Sequence, residues 1–372
     1  MLNDVPALAV ARQPRGLVKI NGEVVPGWIS WEVDNNTFYQ ADTFRCRFAL
    51  SSMPPDKGAA WWASQKEIFV EVLAGFPVDP EWFDASELDS LIYGKVDDVT
   101  YDPVDRLIEL CGRDLTSELI DAKTTEKFQN LTSSQIAELL AKRHGLTPVV
   151  VATKTKAGKY YEIDHARLTD ERSEWDLLTY LAHEERYVVY LKGKELHFEP
   201  QPEESQNPYV LRWEPPVEDR GFPIFNGKSI SFSRNLTVAK GVVVTVRSWN
   251  AKNKKAFSVT YPTHKARGTA PGKSSPPAQN YYFTIPGLTP EQALQRAQAK
   301  HREITQHEMR LFFSMPADNV LKATDIIRVE GTDSPFDQTY YPESINRAMN
   351  LSDGYTMTGS AKNVSPENQA VI

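Results

Sequence analysis

The sequence predicts a mainly β chain with an α+β insertion: two similar small β-barrel domains joined by a helix-plus-hairpin domain. Three observations predict it. Residues 17–113 and 229–359 are largely short runs rich in β-branched and aromatic residues, bounded by Gly, Pro, Asn and Asp, as strands are. Between them, residues 112–200 hold stretches with apolar side chains three and four positions apart, the helical period. Residues 173–200, SEWDLLTYLAHEERYVVYLKGKELHFEP, show both signatures in succession. The expected division is 1–112 for the first barrel, 113–224 for the middle domain and a connector, 225–362 for the second barrel with one helix, and 363–372 for a polar tail.

In the first β region, Val18 and Ile20 precede an Asn21-Gly22 turn, and residues 28–33, 44–50 and 68–73 read as strands. Pro54 and Pro55 interrupt them before a short helix around Trp61. Residues 91–101 and 107–111 flank the turn Asp102-Pro103 as a long hairpin.

The middle segment opens with a short helix over 115–120. A firmer one follows, with Thr132 and Gln135 as its capping box, Ile136, Leu139 and Leu140 as its stripe and Gly145 at its end. Strands are expected near 148–152 and 160–163. Ser173 and Asp176 then cap a helix whose buried stripe is Trp175, Leu178, Leu181 and Ala182, and Gly193 supplies the positive φ of the hairpin turn behind it. Residues 201–223, rich in Pro and Glu, read as a surface connector.

In the second β region, residues 242–249 and 257–261 read as strands around a polar turn, and residues 264–280 as a loop. A helix begins at Pro290, capped by Thr289 with Gln292 and lined by Ala293, Leu294, Ala297, His301 and Ile304. Strands resume at 325–329, 340–348 and 355–358. Residues 67–71 (EIFVE) echo 325–329 (DIIRV), and each is followed by a long strand, an acidic turn and a last strand. This pattern suggests an internal duplication.

With 372 residues, folding buries enough surface without disulfides or metals. Cys46 alternates with Phe44 and Phe48, as a buried free thiol would, and two cysteines make no framework or zinc site. The apolar run at 7–11 meets Arg12 and Pro14 too soon for a secretory signal, and no run reaches membrane-spanning length, so no membrane anchor and synthesis in a reducing cytoplasm are expected.

The net charge of −7 argues against a nucleic-acid coat, and it is unevenly distributed. Residues 79–105 hold nine acids and one base, Lys95; residues 240–273 hold eight bases and no acid. Such runs are ordinary solvated surface, or an acidic face meeting a basic one across subunits. In the latter case, reversing Lys252, Lys254 and Lys255 to Glu weakens assembly.

Catalytic motifs are lacking. His183 precedes Glu184 and Glu185 without a second histidine at metalloprotease spacing, His301 and His307 point to different sides of a helix, and His144 sits in a helix's last turn. Gly272-Lys273-Ser274 is preceded by Gly268 at the wrong distance for a phosphate loop and followed by Pro276-Pro277. Asp97, Asp98, Asp102 and Asp105 lack the glycine and terminal glutamate of a calcium loop. The expectation is no enzyme, with no catalytic, cofactor-binding or metal residues and no cofactor.

Segments 111–123 (CGRDLTSELIDAK), 131–146 (LTSSQIAELLAKRHGL), 173–200 and 229–257 (SISFSRNLTVAKGVVVTVRSWNAKNKKAF) resemble, in this order, the baseplate hub proteins of contractile-tailed phages. These are the late control protein D or Mu-like tail hub family, related to the N-terminal part of type VI secretion spike proteins. The resemblance spans residues 18–362. It implies tail-tube-like barrels and a homotrimeric, pseudo-sixfold ring that joins a sixfold tail tube to a threefold spike and forms part of the DNA-ejection channel. Implied partners are other copies of the chain, a tail tube or distal tail protein, the central spike, and other baseplate proteins, with the tape measure protein among the candidates. DNA passes the lumen without specific binding, and the location is the virion. Some tail-tip relatives carry an enzymatic or spike extension, whereas this chain ends about where the second barrel should close. The rivals are a bacteriocin-like or type VI hub, a tail-tip carbohydrate-degrading enzyme and a monomeric sugar-binding module.

Overall fold

The computed structural model describes residue 3 and residues 13–37, 39–124, 126, 128, 130–154, 172–185, 187–201, 207–216, 221–236, 241–250, 255–262, 279–285, 287–305 and 308–363. The fold is mainly β with an α+β insertion, as the sequence predicts. Two compact units divide the chain: Met1–Tyr209, Ser314–Asp325 and Pro342–Gly359 make the first, and Val210–Phe313, Ile326–Tyr341 and Ser360–Ile372 the second.

The first unit begins with β1 (Arg15–Ile20), which turns at Asn21-Gly22, both at positive φ, into β2 (Glu23–Val24). There follow β3 (Trp28–Asn36), β4 (Thr43–Ala49), helix α1 (Ala59–Ser64), β5 (Phe69–Gly75), β6 (Asp89–Asp102) and β7 (Leu107–Asp114). The strands pair antiparallel in the order β3-β4-β7-β6-β5-β1-β2. Alternate residues point to one interior. Val18, Val33, Cys46, Phe48, Val70, Val72, Ile108 and Leu110 are fully buried, and each large apolar one contributes about 1.5–3 kcal/mol of transfer free energy. A bulge between Val96 and Asp98 brings two backbones together at Gly94 and Gly112. A Cβ on Gly112 would lie 2.1 Å from the Lys95 carbonyl oxygen, so glycine is required there.

The α+β segment, also in the first unit, contains α2 (Thr116–Asp121), β8 (Lys123–Thr124), α3 (Ser133–Arg143), β9 (Thr147–Val150), β10 (Arg172–Ser173), α4 (Glu174–Glu185), β11 (Tyr187–Lys192) and β12 (Glu195–Pro200). The expected capping boxes form: Thr132 with Gln135, and Ser173 with Asp176 at 3.0 and 3.1 Å. Gly193 takes the positive φ of the β11–β12 turn. β9 adds to β12 in parallel, a pairing no local pattern signals. Ile136, Leu140, Leu178, Leu196 and Phe198 are fully buried in one core. The strand expected over 160–163 lies outside the described residues.

The remaining elements are β13 (Tyr209–Glu214), β14 (Ile224–Phe225), β15 (Ser229–Arg234), β16 (Val242–Asn250), β17 (Lys255–Tyr261), β18 (Gln279–Thr284), α5 (Pro290–Thr305), β19 (Met309–Pro316), β20 (Ile327–Glu330), β21 (Thr339–Asn350) and β22 (Gly354–Asn363). β13, β19, β21 and β22 have residues in both units. Four sequence readings need correction. Leu139, read into the apolar stripe of α3, is exposed, and Ala137 and Ala141 join Ile136 and Leu140 on the buried face. Residues 209–214 are not surface connector but a strand, with Tyr209, Val210 and Leu211 buried. The strands at 242–250 and 255–261 do not join the other β strands of this region. They form a separate sheet with β18, in the order β17-β16-β18, against α5. Residues 279–280, read as the end of a loop, open β18. The rest of that loop, most of the turn at 250–255, and the tail from 364 lie outside the described residues.

Candidate functional site: a duplicated β module

Strands β1 to β7 make one module, and β13, β14, β15, β19, β20, β21 and β22 make another. Numbered along the chain within each module, both have the neighbour order third-fourth-seventh-sixth-fifth-first-second. Seven strands permit many orders, so this identity is informative in a way that a list of strands is not. The echo between 67–71 and 325–329 falls at the fifth strand of each, and the following long hairpins are the sixth and seventh. The β16–β18 sheet with α5 is an insert between the third and fourth strands of the second module.

The sixth–seventh hairpins share a further feature. Val104 at the tip of one and Leu351 at the tip of the other are each 87% exposed. Asp102 accepts from the amides of Val104 and Asp105 (2.8 and 3.0 Å), and Asn350 from those of Ser352 and Asp353 (2.8 and 2.7 Å). Side-chain-to-backbone bonds of this kind hold a turn without help from a core.

A buried polar network holds the second of these hairpins within the first unit. Arg347, 3% exposed, donates to the carbonyls of Asp318 (2.8 Å) and Leu321 and to Asn35 Oδ1 (3.2 Å). Tyr209 donates to Asp318 Oδ2 (2.7 Å) and Tyr355 to Asn319 Oδ1 (2.6 Å), while Asn346 bridges Glu32 and Asp34, each at 2.7 Å. Burial raises the phenol pKa of both tyrosines well above the usual range, which keeps them donors. In the second unit, Arg234 pairs through Nε and Nη2 (3.0 and 2.9 Å) with the buried Glu308, and Asn363 accepts from the Met309 amide (3.0 Å).

The half-buried Asp42 and the buried Asp114 are a second set of polar groups, and no sequence pattern marks them. Asp42 accepts from Asn35 Nδ2 (2.8 Å) and the Asn36 amide (2.6 Å), and Asp114 from Thr116. Desolvation pushes Asp42 up to about 6 against the pull of those bonds, and desolvation with the nearby Asp42 charge pushes Asp114 well above the carboxylate range.

Several of the residues weighed for chemistry have structural roles. Asp97 is bidentate to Arg113 (2.7 and 2.8 Å), and Asp102 holds the hairpin tip. His144 caps α3 and contacts Glu174 Oε2 at 2.6 Å, beside Arg143 on the same carboxylate. His301 stacks edge-on against Tyr261, and Cys46 is a buried free thiol. His183 lies in the last turn of α4. Gly268, Gly272, Lys273, Ser274, His307, Lys252 and Lys254, and the Lys255 side chain, lie outside the described residues. Among the described residues no cluster of His, Cys, Asp and Glu is placed to hold a metal, and no helix is long and apolar enough to cross a membrane.

No protein-family model and no curated protein matches the chain. Solved structures do. A 43 kDa tail protein of prophage MuSo2 from Shewanella oneidensis is 14% identical, covers 96% of this chain and 99% of its own, and superposes with a TM-score of 0.67. A tail protein of Neisseria meningitidis MC58 is 13% identical, with the same coverages and a TM-score of 0.66. An Escherichia coli component of the type VI secretion system, itself described as similar to T4 phage tail proteins, is 12% identical over 92% of this chain and 76% of its own, with a TM-score of 0.52. The chain therefore has the fold of phage tail proteins, over nearly its whole length.

Proposed function

We propose that this chain is a structural hub of a phage tail baseplate, a homotrimer whose twin modules form a pseudo-sixfold ring. The observation that carries it is the shared strand order of the two modules. Three copies of a chain with two look-alike modules present six similar units in a closed ring, able to meet a sixfold tube on one side and a threefold spike on the other. Six hairpin tips, three with Val104 and three with Leu351, then form matching apolar contacts for the tube. The fold likeness to prophage tail proteins supports a place in the virion, after synthesis in the host cytoplasm, and a structural rather than enzymatic role. Residues 1–112 and the strands within 209–236 and 308–363 are the two ring segments, and residues 113–200 the middle domain. Duplex DNA leaves through the ring without specific binding; an acidic wall would serve this passage, because it would offer the phosphates no cationic partner.

Mass measurement of the purified chain, alone and with its tail partners, tests the reading. The expected species is three times the 42.0 kDa chain mass; a chain that stays monomeric with its partners present contradicts it. The likeness to the type VI component supports a second reading, a contractile-particle hub through which no DNA passes. Neighbouring capsid and terminase genes separate the two.

A further inference from the structure

The insert of the second module differs in charge from the rest of the chain. Residues 240–305 hold eleven Lys and Arg against two Glu, within a chain of net charge −7. In its sheet, Val242, Val244 and Val246 are buried on the face that packs on Ala293 and Ala297 of α5. Alternation turns Thr245, Arg247 and Trp249 to the opposite face, which no other described element covers. Trp249 is 50% and Tyr282 60% exposed there.

The register arranges the planar groups on this face. Tyr282 of β18 lies beside Thr245, Arg247 is the next residue of the same face, and Trp249 follows it. They form a diagonal row with steps of about 7 Å along the strand. The Arg247 guanidinium lies over the Tyr282 ring, 4.9 Å from its centroid. Thr245 and Thr260, hydrogen-bonded at 3.0 Å, and Asn280 supply polar groups around the row. None of the described residues on this face is acidic.

We propose that this open sheet face binds single-stranded nucleic acid. Bases stack on Tyr282, Arg247 and Trp249, and the net positive charge that residues 240–305 carry in the sequence attracts the phosphates. Exposed aromatics in a positive field are how sequence-tolerant single-strand binders work, because every base has a π-face. A duplex hides those faces. A neutral glycan has none, and its hydroxyls would be met by carboxylates that this face lacks. The site is distinct from the passage of duplex DNA proposed above and does not depend on the ring.

The test is fluorescence anisotropy of a labelled oligothymidylate of about 16 nucleotides titrated with the full chain at low salt. Duplex DNA and heparin serve as competitors. The expected result is saturable binding that weakens steeply with salt, with a log–log slope of about −0.7 per phosphate engaged. Trp249→Ala and Tyr282→Ala should each weaken it about tenfold with unchanged melting, since both side chains are exposed. Arg247→Gln should weaken it and flatten the slope. Absence of saturable binding overturns the proposal. So does binding that survives loss of both rings, which general charge would explain, or a preference for heparin or duplex, which would indicate a polyanion site.

Discussion

The first module runs through seven strands with nothing longer than a short helix between them; the second has the same order but is opened between its third and fourth strands. At that opening the Asn235 amide donates to the Glu308 carbonyl (2.6 Å), so the ends of the insertion meet. In the first module, residues 37–42 alone bridge the same two strands. The difference shows that strand order belongs to the module and not to chain continuity. An insertion with adjacent ends adds little loop-closure cost and leaves the pairing intact. It also shows where new surface can be added: the insert carries the concentrated positive charge, while the modules keep the shared hairpins.

The comparison can be broken in several places. The largest effect is expected outside both modules. Leu178→Asp puts an unpaired charge into the α+β core, where Leu178 is fully buried, and should yield no soluble folded chain, scored by expression and circular dichroism. Next, Arg347→Met leaves carbonyl and amide acceptors unpaired in the first unit and should cost about 3 kcal/mol in denaturant unfolding. Arg234→Met in the second unit should cost less, about 1–2 kcal/mol, because the arginine itself is half-exposed. Equal costs would mean that the half-exposed pair holds its strands as firmly as the buried network holds the β21–β22 hairpin.

A third prediction concerns pH. Asp42, raised to about 6, and Asp114, raised with it, hold protons in the folded chain that the unfolded chain releases near pH 4. Both contributions are therefore fully present below about pH 4; that of Asp42 is lost as the pH rises through about 6, and that of Asp114 as it rises through that group's own raised pKa. Asp114→Asn mimics the protonated form. It should be more stable than the parent at pH 7.5 in denaturant unfolding, and the gain should vanish near pH 3.5. A pH-independent difference would remove the two aspartates from the account. The smallest effect is expected from replacing residues 237–306 by a short Gly-Ser link. The modules should still melt as before, within about 1 kcal/mol, while oligonucleotide binding disappears.

Much of the fold was legible because its signals are local. The capping boxes at Thr132, Ser173 and Thr289, the Asn21-Gly22 turn and the long hairpins fall where residue chemistry puts them. Residues 209–214 escaped because Pro and Glu on both sides mask a three-residue apolar run, Tyr209 to Leu211, that Arg212 then interrupts. Residues 309–316 were not assigned at all, and 242–261 were assigned to the wrong sheet: periodicity reports which residues form strands, not which strands pair. The duplication was visible only as an echo at the fifth strand, since the neighbour order that defines it is non-local. Arg347, Asp42 and Asp114 gave no signal for the same reason: Arg347 finds its partners at 35, 318 and 321, and the two aspartates lie 72 positions apart.

End-on electron-microscopy averages of the purified particle test the central claim most directly. The account predicts threefold averages with six nearly equal lobes around one axis, alternating between the two modules. Averages with three lobes, or with the two modules at different radii, would contradict it.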